Sequence, residues 1–311
     1  MTASNTRTVA VAGGTGFVGG AIAKELVARG NRVVVLTHRV AARPTPSLGL
    51  PFHAAEVRSA DVTRPESLAA ALEGVDALVI SLAFPNSPIE APRRGRTFEK
   101  VDAAGTEALA RAAATAGVGR LVYISGAGAA PDAPRHWFRA KWRAEQAIRA
   151  SGIPYTIFRP SWIYGPGDKS LNRFLGMGRW LPFIPQIGNG RQIMVPLFVD
   201  DIGALAADAL ESDTALNATL EAGGPESMTM DEVVRRALRI SRRRRFILHA
   251  PAALVKLMVR PLTLLPSPPM TPGAVDFIIG SAPVDTTALH AALPRRLTPI
   301  DEALATYLGR R

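Results

Sequence analysis

The chain has 311 residues, 47% of them hydrophobic, enough for one large α/β domain or a domain with an appended lobe, and too apolar for an intrinsically disordered protein. It contains no cysteine, which excludes disulfides, thiolate metal sites and a cysteine nucleophile. The net charge of +11, mostly from arginine, allows attraction to nucleic acid, anionic lipid or a phosphorylated cofactor, but no nucleic-acid motif or aromatic array accompanies the basic runs, so nucleic acid is not expected as a partner.

In chain order, Met1 to Thr8 is polar and leaves no room for a secretory apolar region, which makes a cytoplasmic location the expectation. Val9 to Ala12 reads as a buried strand. Gly13, Gly16 and Gly19 follow with G-x-x-G-x-x-G spacing, and an apolar-periodic helix runs on to Arg29, stopped by Gly30. Glycine triplets also occur in plain turns. Here the strand before and the helix after point to a dinucleotide site: Gly13 turns the chain beside Thr15, Gly16 lets a pyrophosphate approach, and Gly19 lets the helix pack close. The phosphates would sit on the free N–H groups around Phe17 and Val18.

Arg32 to Thr37 reads as a second strand, whose end is where an adenosine ribose is recognised. No acidic residue stands there. His38 and Arg39 do, with Arg43 behind, and a guanidinium suits a 2′-phosphate, so NADP(H) is the preferred cofactor and NAD(H) the alternative. Arg39 can equally be read as one more solvated arginine. Val57 to Val62 forms a short third strand that ends at Asp61-Val62, with Thr63 and Pro65 opening a helix. Ala77 to Ile80 is a fourth strand, followed by Ser81 to Phe84 over the cofactor and a proline-rich loop from Pro85 to Arg96. A helix from Val101 to Ala116 and a fifth strand, Leu121 to Ser125, continue the alternation of a doubly wound parallel sheet.

The chain resembles the extended or atypical short-chain dehydrogenase/reductases, the NAD-dependent epimerase/dehydratase-like proteins. The resemblance rests on residues 13–19, Asp61-Val62, Val101-Asp102-Ala103-Ala104-Gly105-Thr106, Tyr123-Ile124-Ser125-Gly126, Lys141, Arg159-Pro160 and Val199-Asp200-Asp201-Ile202, in the family's order. It is most similar to the branch containing the nucleotide-binding accessory subunit of respiratory complex I. The resemblance implies a Rossmann-type α/β fold with a small C-terminal substrate lobe: residues 1–170 bind NAD(P), and 171–311 form mainly the lobe, with 193–212 returning to the Rossmann body. It places Asp61 and Val62 beside the adenine, Pro160 at the start of a loop over nicotinamide, and Lys141 on the nicotinamide ribose.

In the family's catalytic members a Tyr-x-x-x-Lys pair does the proton work, the lysine lowering the phenol's pKa. Here Lys141 is present, but Trp137 replaces the tyrosine, and an indole N–H can donate a hydrogen bond without acting as acid or base. Ser125 is the candidate substrate-polarising hydroxyl. Strand phase puts the family's Ser or Thr nearer Gly126, a one-residue slip restores Ser125, and both registers stay open. Asp102 stands where the family has asparagine. His136 points away from the Trp137 position, and Tyr123 and Tyr164 read primarily as packing tyrosines.

Tyr155 to Arg159 is the sixth strand. Beyond Asn172 the apolar residues from Phe174 to Ile184 read as core or as the substrate side, Asp200 as the cap of a helix over 202–210, and Met228 to Ile240 as a lobe helix. Arg242 to Arg245 precede an apolar helix candidate from Pro251 to Leu265, too short to span a bilayer. It reads as a lobe helix after a solvated turn, or as a peripheral membrane or membrane-complex contact through 242–265. Two functions remain. One is an NADP-dependent oxidoreductase, epimerase or dehydratase with a non-standard site and an unnamed small-molecule substrate; the other is an inactive NADPH-bound structural protein of a membrane respiratory complex. No metal site is expected.

Overall fold

The computed structural model describes residues 6–38, 55–178 and 180–309. The first half runs β1 (Thr8–Ala12), α1 (Phe17–Ala28), β2 (Arg32–Thr37), β3 (Ala55–Ser59), α2 (Leu68–Ala71), β4 (Ala77–Ile80), α3 (Gly105–Thr115), β5 (Arg120–Ile124), α4 (His136–Ala150) and β6 (Tyr155–Pro160). The second half runs β7 (Ile163–Tyr164), α5 (Leu171–Met177), β8 (Phe183–Ile187), β9 (Ile193–Met194), β10 (Leu197–Phe198), α6 (Val199–Glu211), β11 (Ala218–Ala222), β12 (Met228–Thr229), α7 (Met230–Ile240), β13 (Phe246–Ala250), α8 (Ala252–Val259), α9 (Pro272–Ile278), α10 (Thr287–Ala292) and α11 (Ile300–Leu308).

Seven parallel strands form the central sheet in the order β11-β6-β5-β4-β1-β2-β3. The strand order reverses between β1 and β4, and this switch point opens the crevice in which doubly wound folds bind ligands. Val9 and Val11 face α1 and α6, while Ala10 and Ala12 face α2, α3 and α4. The strands are therefore apolar on both faces, which is why Val33 to Leu36 and Ala77 to Ile80 are unbroken hydrophobic runs.

Two sequence expectations change, and one element is added. Ala218–Ala222, for which the sequence carried no strand expectation, is the seventh strand, paired in parallel with β6. Asp200 does not cap α6; the helix starts at Val199, and Asp200 lies in its first turn, 3.8 Å from Lys24, where a carboxylate still complements the helix dipole. The apolar helix expected over 251–265 ends at Val259, and a 3-10 turn over Pro261–Leu264 follows.

Asp208 on α6 ties the body to both ends of the chain. It accepts from Arg29 at 2.8 Å and from Arg295 at 2.7 and 2.9 Å. Burial opposes its ionisation, but the hydrogen bonds from Arg295 and Arg29 outweigh that and hold its carboxyl below the usual range. A depressed folded-state value stabilises above the unfolded aspartate range of about 3.9, and the gain is lost as pH falls through the folded value. Asp208→Asn is accordingly expected to cost about 2 kcal/mol at neutral pH. The difference from the parent should shrink in urea titrations taken below pH ~4, and a constant difference across that range would refute the assignment.

Candidate functional site

The turn after β1 carries the first half of the site. Gly13 has φ +82°, and a Cβ there would lie 2.2 Å from the Ser81 carbonyl oxygen at the end of β4. A Cβ on Gly19 would lie 2.3 Å from the Gly13 carbonyl oxygen, so α1 sits almost against the turn. Gly16 is exposed at the N-cap of α1; no side chain caps this helix, and its first turn holds no carboxylate. The open N–H groups at Phe17 and Val18 and the bare main chain fit a diphosphate. Thr15 lies within the turn, and the loop after β7 reaches back to it: a Cβ on Gly167 would stand 3.8 Å from the Phe17 ring.

On the adenosine side, β2 ends at Thr37 and His38 is exposed; Arg39 and Arg43 lie outside the described residues. Asp61 follows β3 and accepts from the Thr63 amide at 2.9 Å and its hydroxyl at 2.6 Å. Burial opposes its ionisation, and the Thr63 hydrogen bonds prevail, keeping its carboxyl below the usual range. Val62 is pinned by Gly105 at the start of α3, where a Cβ would come within 2.7 Å of the valine methyl.

The second half of the site lies between β5 and α4. Lys141 donates to Asp102 at 2.7 Å and to the Ile124 carbonyl at 3.4 Å, and its ammonium lies 5.4 Å from the centre of the Tyr123 ring. Burial works against the charge, but the Asp102 carboxylate more than restores it, so Lys141 stays protonated above the ordinary lysine range. Asp102 sits in a π-helical turn over Phe98–Ala104, and one of its carboxylate oxygens is buried without a hydrogen bond. Burial pushes the Asp102 carboxyl up while Lys141 pulls it down, so where asparagine would give a neutral contact this chain has a buried Lys141–Asp102 pair at 2.7 Å.

Trp137, one helical turn before Lys141, is 6% exposed, and its indole N–H has no hydrogen-bond partner. It packs with Phe84, Phe98, Ala103 and Ala140 in a small cluster apart from the main core, and Phe277 of α9 covers it at 5.5 Å between ring centres. His136 is bonded to Glu90 at 2.7 Å, with its ring edge-on to Trp137 at 5.3 Å between ring centres. Tyr123 is fully buried, and burial pushes its phenol up to about 12, so it is a weaker acid than a free tyrosine. Tyr164 is also fully buried and pushed up by burial.

Ser125 follows β5. Its hydroxyl donates to Glu145 of α4 at 2.7 Å, so it faces the α4 layer. Glu145, entirely buried, also accepts two bonds from Arg159 at 2.9 and 2.7 Å and one from Arg149 at 3.2 Å. The sequence reading overlooked Glu145. Its position one turn beyond Lys141 on the same helix was the available signal. Pro160 closes β6, and its carbonyl accepts from the Ala127 amide at 3.0 Å. No cluster of side chains fit to hold a metal occurs among the described residues.

A switch-point crevice with a glycine-floored turn and an uncapped helix defines a dinucleotide-binding Rossmann protein. The chain belongs to the NAD(P)H-binding family, whose pattern matches residues 13–177, just over half of its length. It is an atypical short-chain dehydrogenase/reductase relative, and its cofactor is a nicotinamide dinucleotide. The chain is 33% identical over 118 residues to the mitochondrial NADH dehydrogenase (ubiquinone) 1 alpha subcomplex subunit 9 of Arabidopsis thaliana, covering 38% of this chain and 29% of that one. It is 27% identical to the NAD(P)H azoreductase of Xenophilus azovorans over 72% of this chain and 71% of that enzyme. It spans less than half the length of the NADH dehydrogenase subunits it matches. Among solved structures, gox2253 superposes with a TM-score of 0.72 at 23% identity and the dehydratase TunA with 0.74 at 18%, each covering 97% of both chains, a likeness of fold.

Proposed function

We propose that the chain is an NADP(H)-dependent reductase that delivers hydride to an acceptor able to take its proton from water, such as a quinone or azo compound. The observation that carries this is Trp137, buried one turn before Lys141 with an unpartnered N–H. A phenol there would exchange protons with an alcohol or carbonyl; an indole can only donate a hydrogen bond. NADP(H) supplies hydride when bound. Gly13, Thr15, Gly16, Phe17, Val18 and Gly19 would hold its diphosphate, and Asp61, Val62 and Pro160 would flank the nucleotide. His38 and Arg39 would take the 2′-phosphate, with NAD(H) the weaker ligand. Lys141 would orient the nicotinamide ribose, and Trp137 would donate to an oxygen or nitrogen of the acceptor. The azoreductase relative supports the acceptor class. Residues 1–170 would serve as the nucleotide-binding unit and 171–311 as the acceptor lobe.

Mixing the protein with NADPH and either a quinone, an azo dye, an aldehyde or a ketone tests this by absorbance. Oxidation is expected with the first two, and carbonyl reduction at an equal rate would sink the reading. Trp137→Phe is expected to lower kcat/KM for the acceptor about tenfold, the worth of one hydrogen bond, with NADPH affinity unchanged.

A second reading keeps the cofactor but gives it a structural role in a membrane complex. The pairing of Lys141 with Asp102 and the engagement of the Ser125 hydroxyl by Glu145 favour it, as do the exposed apolar residues within 242–265. NADPH retained through dialysis and left unoxidised by every acceptor would favour this second reading. No helix among the described residues is long and apolar enough to cross a membrane.

A further inference from the structure

The lobe contains a two-stranded ribbon whose outward face is apolar. β8 and β13 pair in parallel with Phe183 opposite Phe246, Pro185 opposite Leu248 and Ile187 opposite Ala250. Those six residues share one face of the ribbon, since side chains alternate along a strand. That face is apolar throughout, yet Phe246 is 58% and Leu248 47% exposed. The opposite face turns toward the protein: Ile184 is buried and Ile247 packs on the main core, Gln186 is buried, and His249 bonds to Asp231 at 2.9 Å.

The neighbouring elements also expose apolar side chains. In α8, Leu254, Leu257 and Met258 fall at helical spacing on one stripe and are 52%, 66% and 66% exposed, while Val259 is buried. Leu264 on the following turn is 84% exposed, and Trp180, shortly before β8, is 89% exposed. An apolar patch of this kind marks an interaction surface. Charge identifies what it meets: between residues 233 and 275 the chain has no Asp or Glu, and Arg242, Arg244, Arg245 and Arg260 fall in the same stretch as these apolar side chains, while Lys256 pairs with Asp276 at 2.5 Å and Arg243 donates to the Leu175 carbonyl at 2.7 Å. Arg245 is anchored to the Gly178 carbonyl at 2.9 Å, which holds part of the basic run beside the start of β8.

We propose that the β8/β13 ribbon, α8 and the turn after it form a docking face for an anionic lipid bilayer, with the apolar side chains entering the interface and the cations pairing with lipid phosphates. A protein partner would need complementary carboxylates as well as an apolar groove, whereas a bilayer supplies both features in any orientation. Phe277 of α9, 44% exposed and touching Trp137, carries the face to the edge of the candidate site. Docking does not depend on reductase activity.

The test is sedimentation of the full chain with phosphatidylcholine vesicles with and without phosphatidylglycerol. Binding is expected to be at least tenfold stronger to the anionic vesicles and to weaken as salt is raised. The double variant Leu257→Asp/Leu264→Asp, which changes only exposed side chains, is expected to lose at least tenfold in vesicle binding while its melting temperature and NADPH affinity stay those of the parent. Arg244→Glu provides an independent readout through the salt dependence. Failure to bind either vesicle overturns the proposal and leaves a protein as the occupant of the face. Equal binding to both vesicles, or binding unaltered in the double variant, overturns it as well.

Discussion

Replacing Gly13 by alanine is expected to abolish binding of nicotinamide dinucleotides, lowering affinity at least a hundredfold, and to reduce stability by about 3 kcal/mol. The second figure combines the cost of a left-handed backbone for a residue with a Cβ and the cost of overpacking a tight site. At φ +82° the added methyl would stand 2.2 Å from the Ser81 carbonyl oxygen and 2.9 Å from its carbon. Ser81 cannot simply retreat, because its own amide donates to the Ala12 carbonyl at 2.9 Å and so continues the pairing of β1 with β4. Relief must come from the turn, which swings the α1 N-terminus away from the position a diphosphate would occupy. Calorimetric titration with NADPH, alongside thermal melting, reads both effects. Wild-type affinity in a folded Gly13→Ala protein would falsify the assignment of this turn to the cofactor.

Removing the Glu145 carboxylate should be the most damaging change outside the cofactor turn. Glu145→Ala leaves the Arg159 and Arg149 guanidinium groups, 19% and 26% exposed, and the Ser125 hydroxyl without the buried carboxylate they share, Arg149 keeping its bond to Thr219. Breaking a buried charge cluster by deleting one partner costs about 3–5 kcal/mol where the remaining charge is stranded, and the partial hydration of these guanidinium groups places the expected loss at the lower end, about 3 kcal/mol. For a chain of this size that corresponds to a fall in melting temperature of roughly 5–10 °C. Ser125→Ala, which removes one neutral donor and leaves the arginine bonds in place, should cost only about 1 kcal/mol. A calorimetric comparison of the two variants checks the ranking, and equal losses would show that Glu145 does not hold the cluster together.

The Lys141–Asp102 pair adds a constraint of its own to the catalytic question. In the resemblance, lysine serves a tyrosine; here its nearest partner is a carboxylate within a π-helical turn, and the tyrosine's place holds an indole. The ammonium therefore remains charged and positioned, but its field is largely spent on Asp102. Such an arrangement is suited to holding ribose hydroxyls and poorly suited to lowering the pKa of a neighbouring acid.

The sequence by itself determined the alternation of strand and helix, the position of the glycine turn, and the placement of Trp137 one turn before Lys141. Each of these is a local property: period two or 3.6 in apolar residues, glycine at a backbone position that excludes a Cβ, and fixed helical spacing. Only the tertiary structure decided which distant groups meet. Ala218–Ala222 shows too little β-branched or apolar pattern to stand out as a strand, and it becomes the sheet edge because β6 offers an unpaired ladder. Ser125 could be read in two registers until Glu145 on another element claimed its hydroxyl. The apolar residues of β8, β13 and α8 could be read in sequence as lobe packing, as the substrate side or as a membrane contact, since hydrophobicity alone does not say which side faces the protein. Burial is settled by packing between elements far apart in the chain, and that information is absent from any local window.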